Sequence, residues 1–294
     1  MVILIILLII IGLLFLLCCR GRTGHPRLEA LRGWYYAHRG LHDDQKPENS
    51  MAAFRAALDA GFGIELDIHL LRDGNLAVFH DASLMRITGR EGRIEDLTTD
   101  QLKDYHLLDT EETIPEFRQV LELYSGQAPM IIELKAENGN HAALAETACA
   151  MMEGYNGLWC MESFDPRCIS WLKENRPDVI RGQLSANFFR DETKLNPFLK
   201  SILRHQLYNF RSQPDFTAYK FEDRKTISNF ILRTLRGVQG VAWTIRTKED
   251  FDTALQEGWI PIFENFDPRQ STAKERCLVA SLFFIQVLLL LQVR

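Results

Sequence analysis

Between Gly33 and about Phe266, eight short β-rich runs alternate with helical stretches, and few architectures accept that pattern. The runs are WYYAH (34–38), GIELDIHL (63–70), MIIELK (130–135), GLWCMESF (157–164), DVIRGQL (178–184), DFTAYK (215–220), GVAWTI (240–245) and IPIFEN (260–265). Helices are predicted between them at about 50–60, 115–125, 141–153, 166–175, 195–210, 224–236 and 247–258. Eight strands, each followed by a helix, predict an α/β fold of the (β/α)8 TIM-barrel type. A doubly wound open sheet needs no eighth strand and usually opens with a glycine-rich turn, and no such turn follows the first run. Residues 71–114 break the repeat with a short strand, LAVFH (76–80), and a charged, turn-rich segment, so an insertion is predicted between the second and third barrel strands.

The two ends differ from the middle. Residues 2–19, VILIILLIIIGLLFLLCC, carry no charge; as a helix they would be about 27 Å long, near the lower limit for crossing a bilayer. An uncleaved anchor is expected over a signal peptide, because no positive segment precedes the apolar run and no small-residue cleavage site closes it. Arg20, Arg22, Arg27 and Arg32 follow the run, which places the main domain on the cytoplasmic face of a single-pass membrane protein. The expected organisation is an anchor at 1–19, a juxtamembrane linker at 20–32, one barrel at 33–267 and an apolar tail of open role at 268–294. Within that tail, 278–293 is too short and too interrupted by Gln286 to read as a second span.

Composition narrows the partners. The 294 residues are 46% apolar and 25% charged with a net charge of -5, which excludes disorder and argues against a nucleic-acid partner. The arginines at 86, 90 and 93 alternate with acids and read as a solvated loop. Six cysteines in a chain of this length are too sparse for a disulfide scaffold, and their spacing suggests no zinc site.

Barrel strands should be apolar on both faces, since helices cover the outside. The second run breaks that rule: Glu65, Asp67 and His69 share one face, opposite Ile64, Leu66, Ile68 and Leu70. Two carboxylates about 7 Å apart on one face repel unless a positive charge sits between them, and a divalent cation with oxygen ligands is the simplest answer. MIIELK repeats the anomaly with Glu133 and Lys135, the lysine being suited to an anionic substrate or to pairing with Glu133. His38 and His80 fall at strand C-terminal ends, where barrel enzymes keep catalytic groups, and Arg39 offers a planar fork for phosphate oxygens. Three carboxylates, two histidines, an arginine and a lysine together point to metal-assisted cleavage of a phosphate ester.

In the order HRG (38–40), PENS (47–50), ELD (65–67), DG (73–74), HD (80–81) and IELK (132–135), the chain resembles the glycerophosphodiester phosphodiesterase family over roughly residues 34–266. AWT at 242–244 is similar to a late family strand. The resemblance implies a (β/α)8 barrel and hydrolysis of glycerophosphodiesters to glycerol 3-phosphate and an alcohol. It further implies His38 and His80 as general acid and base, and one divalent cation, magnesium or calcium, on Glu65, Asp67 and Glu133. Arg39 and Lys135 would contact the phosphate, Trp243 would line the substrate pocket, with Phe164 in a comparable position, and Glu48 would support the site by hydrogen bonding. The chain departs from the family's pattern in Leu71-Arg72-Asp73-Gly74 and in Phe263-Glu264-Asn265, both of which fall outside this expected set. Two other functions compete with this one: lysophospholipase D-like hydrolysis of membrane lysolipids, and a membrane-tethered binding module without catalysis.

Overall fold

A computed structural model describes residues 1–190 and 195–270; the apolar stretch 278–293 lies outside the described residues. Nine strands are found among them: β1 (Tyr36–His38), β2 (Gly63–Leu70), β3 (Leu76–Val78), β4 (Met130–Leu134), β5 (Trp159–Ser163), β6 (Arg181–Ser185), β7 (Phe216–Lys220), β8 (Gln239–Ile245) and β9 (Trp259–Phe263). All but β3 run parallel in the order β1-β9-β8-β7-β6-β5-β4-β2, and β2 pairs back with β1, closing an eight-stranded barrel. The predicted strands match in number and sequence, GIELDIHL coinciding with β2 and the others differing at their ends by at most three residues.

The helices are α1 (Val2–Cys18), α2 (Met51–Asp59), α3 (Phe117–Tyr124), α4 (His141–Met151), α5 (Pro166–Asn175), α6 (Pro197–Arg204) and α7 (Lys248–Gln256), with shorter turns between them. Their starts follow local chemistry. Ser50 Oγ accepts from Ala53 N at the head of α2, Asp165 accepts from Arg167 N with Pro166 in the first turn of α5, and Thr247 caps α7. The helix expected at 224–236 is a short turn, Ile227–Asn229, continued by a π-helical turn over Phe230–Leu235.

Two apolar layers result from strand parity. Ile64, Leu66 and Ile68 of β2 face outward into the helix shell with Phe54, Val120 and Leu144. Inward-facing Tyr36, Ile131, Cys160, Phe216 and Val241 fill the N-terminal half of the barrel. Toward the C-terminal ends the inward positions become charged, and the core gives way to the site. The predicted insertion follows β2: β3 pairs antiparallel with it (Ile68↔Val78, Leu70↔Leu76), and residues 71–114 build a small core of their own around Leu84, Ile94 and Leu102.

Residues 20–32 run across the N-terminal mouth of the barrel. The Arg22 guanidinium donates to Asp215 (2.5 and 2.6 Å) and to the Pro177 and Val179 carbonyls, while Leu28 and Leu31 pack on the inner core.

The expected single-pass anchor is corrected. Among the described residues no helix is long and apolar enough to cross a membrane. α1 has 17 residues, about 26 Å of helix against a hydrocarbon core of about 30 Å. It stops where the barrel begins: Cys19 is fully buried with Ile231, Leu232 and Val238, and Arg236 Nη2 donates to the Leu16 carbonyl at 2.7 Å. The membrane partner and the cytoplasmic-face placement, which rested on that anchor, fall with it.

Candidate active site

The turn after β1 gathers the first group of polar side chains. Arg39 and Gly40 both take positive φ (55° and 83°), and a Cβ on Gly40 would lie 2.8 Å from the Ala53 carbonyl carbon in α2. Only glycine permits that approach, which turns the chain so that the Arg39 amide donates to Glu65 Oε2 (3.2 Å). The Arg39 guanidinium donates to Glu48 Oε1 at 2.8 Å and lies 3.3 Å from Asp67 Oδ2. Asn49, also at positive φ (57°), donates from Nδ2 to Asp67 Oδ2 at 2.9 Å. The PENS segment therefore contributes three consecutive functions: Glu48 holds Arg39, Asn49 holds Asp67, and Ser50 starts α2.

The carboxylates come from β2, β4 and β5. Register places Asp67 opposite Glu133 and Glu133 opposite Glu162, so all three point into the barrel at one level. One oxygen from each of Glu65, Asp67 and Glu133 lies within 4.8 Å of the other two, with all three residues buried. Burial and the neighbouring Asp67 and Glu133 charges hold Glu65 well above the usual carboxylate range, and burial raises Glu133 as well. Burial opposes ionisation at Asp67 too, but His80, Lys135, Arg39 and the Asn49 hydrogen bond keep its carboxyl well below that range. Asp67 Oδ1 is buried without a hydrogen-bond partner, 3.5 Å from Lys135 Nζ. Three converging acids, two with pKa values raised by burial and one with an orphaned oxygen, fit a divalent cation with oxygen ligands.

Lys135 lies one residue beyond β4. Its Nζ is 3.0 Å from Glu133 Oε1, and although burial works against its charge, Glu133 and Asp67 raise the ammonium pKa. Of the two uses expected for Lys135, pairing with Glu133 is present in the structure.

Each candidate histidine has its own carboxylate. His38 Nδ1 donates to Glu264 Oε2 at 2.9 Å, and its Nε2 is 3.9 Å from Glu65 Oε2. Burial pushes the His38 imidazole down to about 4, against the Glu264 hydrogen bond, so at neutral pH the ring is uncharged. Burial also works against the Glu264 charge, but the His38 hydrogen bond and the positive charge of Arg246 hold it at about 2. A neutral ring that donates from Nδ1 to a carboxylate keeps its Nε2 lone pair free to accept a proton. His80 Nδ1 donates to Asp81 Oδ1 at 2.5 Å, and Arg86 Nε ties down the other Asp81 oxygen.

Several of these partners escaped the sequence reading. Glu264 falls outside the expected set, but β9 closes against β1 (Ala37↔Phe263), so His38 at the end of β1 meets Glu264, one residue past β9. The order of strands in a barrel was the signal that could have found it. Glu162 was one inward carboxylate in a run read for its hydrophobicity; it is buried, with Oε2 lacking a partner, and burial and Glu133 raise its pKa well above normal. Arg86 is exposed, as a solvated segment implies, but it also bridges Glu48 (2.7 and 2.9 Å) and Asp81. Arg93 pairs with Glu137 at 3.0 Å.

Trp243, near the end of β8, stacks edge-on against Phe164 at 5.5 Å between centroids, and Phe164 meets Phe188 in the same way at 6.0 Å. This aromatic row begins beside the polar cluster. An apolar cleft of about 570 Å³ continues from Glu133 and Lys135 past Phe164 and Phe188 to α6.

Comparison with known proteins identifies the family. The sequence profile of the Glycerophosphoryl diester phosphodiesterase family matches residues 38–266. A Glycerophosphodiester phosphodiesterase of Caldanaerobacter subterraneus is 30% identical over 241 residues, covering 76% of this chain and 89% of that protein. One of Bacillus altitudinis is 39% identical over 110 residues, covering 35% of this chain and 44% of the relative. Among solved structures, an Oleispira antarctica phosphodiesterase in complex with the product sn-glycerol-3-phosphate superposes with a TM-score of 0.64 at 18% identity, covering 83% of this chain and 95% of that one. A Thermotoga maritima glycerophosphodiester phosphodiesterase gives 0.60 at 24% identity, covering 78% and 93%. With a profile that spans most of the barrel and a full-length relative at this identity, the chain belongs to the glycerophosphoryl diester phosphodiesterase family and is a phosphoric diester hydrolase.

Proposed function

We propose that the protein hydrolyses glycerophosphodiesters to glycerol 3-phosphate and an alcohol, with Glu65, Asp67 and Glu133 holding one divalent cation, magnesium or calcium. The reading rests on the convergence of those three buried carboxylates between two histidines, each hydrogen-bonded through Nδ1 to a separate carboxylate. When bound, the cation would supply Lewis-acid stabilisation of charge on the phosphoryl oxygens.

The chain's own residues account for the proton movements. Neutral His38 takes a proton at Nε2 from the attacking oxygen, and Glu264 stabilises the imidazolium that forms. That oxygen bonds to phosphorus, and the bond from phosphorus to the leaving alcohol's oxygen breaks. His80, held by Asp81, gives its Nε2 proton to that departing oxygen. Arg39 and Lys135 border the same carboxylates and would share their charge with the phosphate, and Glu48 fixes the angle of Arg39. Trp243, beside Phe164, forms the apolar wall against which the glycerol would lie. The Oleispira antarctica neighbour, which binds sn-glycerol-3-phosphate, supports the product assignment.

Phosphorus NMR of the purified protein with a panel of glycerophosphodiesters, with and without chelator, tests the reading. The expected result is release of glycerol 3-phosphate that chelator stops, and a loss of about 100-fold or more in His38→Ala and His80→Ala. Turnover that survives chelation would remove the cation from the scheme, and near-normal turnover in either variant would remove that histidine.

A further inference from the structure

His42 stands beside the polar cluster but takes no part in the proton movements. Positive φ at Arg39 and Gly40 (55° and 83°), with the bond from the Leu41 amide to the Ala53 carbonyl (3.0 Å), turns the chain after β1 back toward β9. The turn sets the His42 ring beside Glu264, with Nε2 3.8 Å from Glu264 Oε1. That nitrogen is buried and has no hydrogen-bond partner among the described residues. The other Glu264 oxygen, Oε2, accepts from His38 Nδ1 at 2.9 Å. One ligand atom from each of His38, His42 and Glu264 lies within 4.8 Å of the other two. Ligands about 2.0 Å from a tetrahedral zinc ion stand about 3.3 Å apart, which falls between the 2.9 and 3.8 Å found across Glu264. Asn265 Nδ2 donates to Glu264 Oε1 at 3.1 Å and orients the carboxylate, as outer partners of metal ligands do. A cavity of about 310 Å³, lined by His42, Asp43, Glu264 and Phe266, gives a path of entry and shares no lining residue with the apolar cleft. Arg246, half-exposed, holds Glu264 Oε2 at 3.1 Å and would turn into solvent when a cation arrives.

We propose that His38, His42 and Glu264 form a site for a zinc-like transition cation, separate from the carboxylate site, and that filling it switches hydrolysis off. The switch rests on the role proposed above for His38; the site itself does not. Two imidazoles and one carboxylate suit zinc, whereas magnesium and calcium take oxygen ligands and stay with Glu65, Asp67 and Glu133. Coordination at His38 Nδ1 moves the imidazole hydrogen from Nδ1 to Nε2 through solvent, and Glu264 exchanges its hydrogen bond for a bond to the ion. No electron is transferred and the ring stays neutral. Its Nε2 then carries a hydrogen and accepts none from the attacking oxygen.

The test titrates zinc into the magnesium-saturated protein against a zinc-selective chromophoric chelator, with turnover of glycerophosphoethanolamine followed in parallel. One zinc ion should bind per chain, and turnover should fall by about 100-fold or more at saturation. In His42→Gln, zinc binding and inhibition relative to that variant's own zinc-free rate should both weaken by at least about tenfold. Asp67→Asn, which removes a carboxylate of the other site, should bind zinc as tightly as the unaltered protein. Zinc affinity unchanged by His42→Gln, or inhibition relieved in proportion to added magnesium, would put the zinc on the carboxylates and overturn the site. Zinc bound through His42 with turnover intact would overturn the switch. Zinc bound through His42 in a protein that turns over no glycerophosphodiester would uphold the site and be the failure of the underlying function instead.

Discussion

His38 and Glu264 form a dyad made of a strand end and the residue just past the strand that closes the barrel. The Glu264 carboxylate opposes the effect of burial on the imidazole, because its hydrogen bond and its charge both favour the protonated ring. Replacing it with the isosteric amide in Glu264→Gln removes the charge, so the His38 pKa should fall further below about 4 and the acidic limb of the pH–rate profile should move to lower pH. At the same time kcat should drop by about tenfold or more, since the imidazolium formed in the reaction loses its counter-charge. A pH–rate profile reads both, and a limb that stays in place would separate Glu264 from the proton transfer. The carboxylate cluster yields a second expectation. Glu65 and Glu133 have raised pKa values in the fold, so these two groups hold protons in the folded state that they would release in the unfolded chain above about pH 4.5. A cation bound there would replace those protons, so its stabilising effect should grow as pH rises through that point toward neutrality, whatever the opposite contribution of His38 to the metal-free protein. The difference in Tm between melts with added magnesium or calcium and melts in chelator should widen with pH, and Asp67→Asn should abolish it. A Tm difference that does not change with pH would contradict the raised pKa values of these acids.

At the scale of elements, the turn between β1 and α2 carries more of the site than its length suggests. A Cβ on Gly40 would meet the Ala53 backbone at 2.8 to 3.0 Å, and the residue sits at φ 83°. Gly40→Ala should destabilise the protein by about 1–3 kcal/mol and, by pushing α2 away from β1, loosen Asn49 from Asp67; a urea melt alongside an activity assay would show both losses together. Much of this layer was legible beforehand. Period-two polarity placed Glu65 and Asp67 on one face of β2, and a strand buried on both sides has nowhere to turn carboxylates but into the barrel. The same parity rule extended to β5 would have exposed Glu162, which was masked by the apolar residues around it. Glu264 was harder to see, because its meaning depends on a neighbour 226 positions away and on barrel closure, which no local pattern expresses. The N-terminal helix shows the opposite case. Its composition alone satisfies the hydropathy of a membrane span, but its length is set by where Cys19 enters the barrel's packing, and that is a tertiary fact.

For the molecule as a whole, the two mouths of the barrel are divided between stability and chemistry. The C-terminal mouth holds the histidines and the carboxylates. The N-terminal mouth is closed by residues 20–32, where Arg22 reaches the fully buried Asp215, Arg27 Nη2 donates to the Gly157 carbonyl (2.8 Å), and Arg32 Nε donates to Gln239 (2.7 Å). Barrel enzymes tolerate change at the N-terminal face in activity while losing stability there, which makes Arg22→Ala a test of the division. Asp215 would keep its bond from the Arg181 amide (3.0 Å) but lose its charged partner inside the protein, at a cost of about 1–3 kcal/mol. Loss of the plug also frees Leu28 and Leu31 from the inner core. The expected outcome is a Tm lowered by several degrees with kcat and KM unchanged below the new transition. A change in kcat without a change in Tm would mean that the two mouths are coupled through the barrel, and the plug would then belong to the catalytic machinery and not to the scaffold.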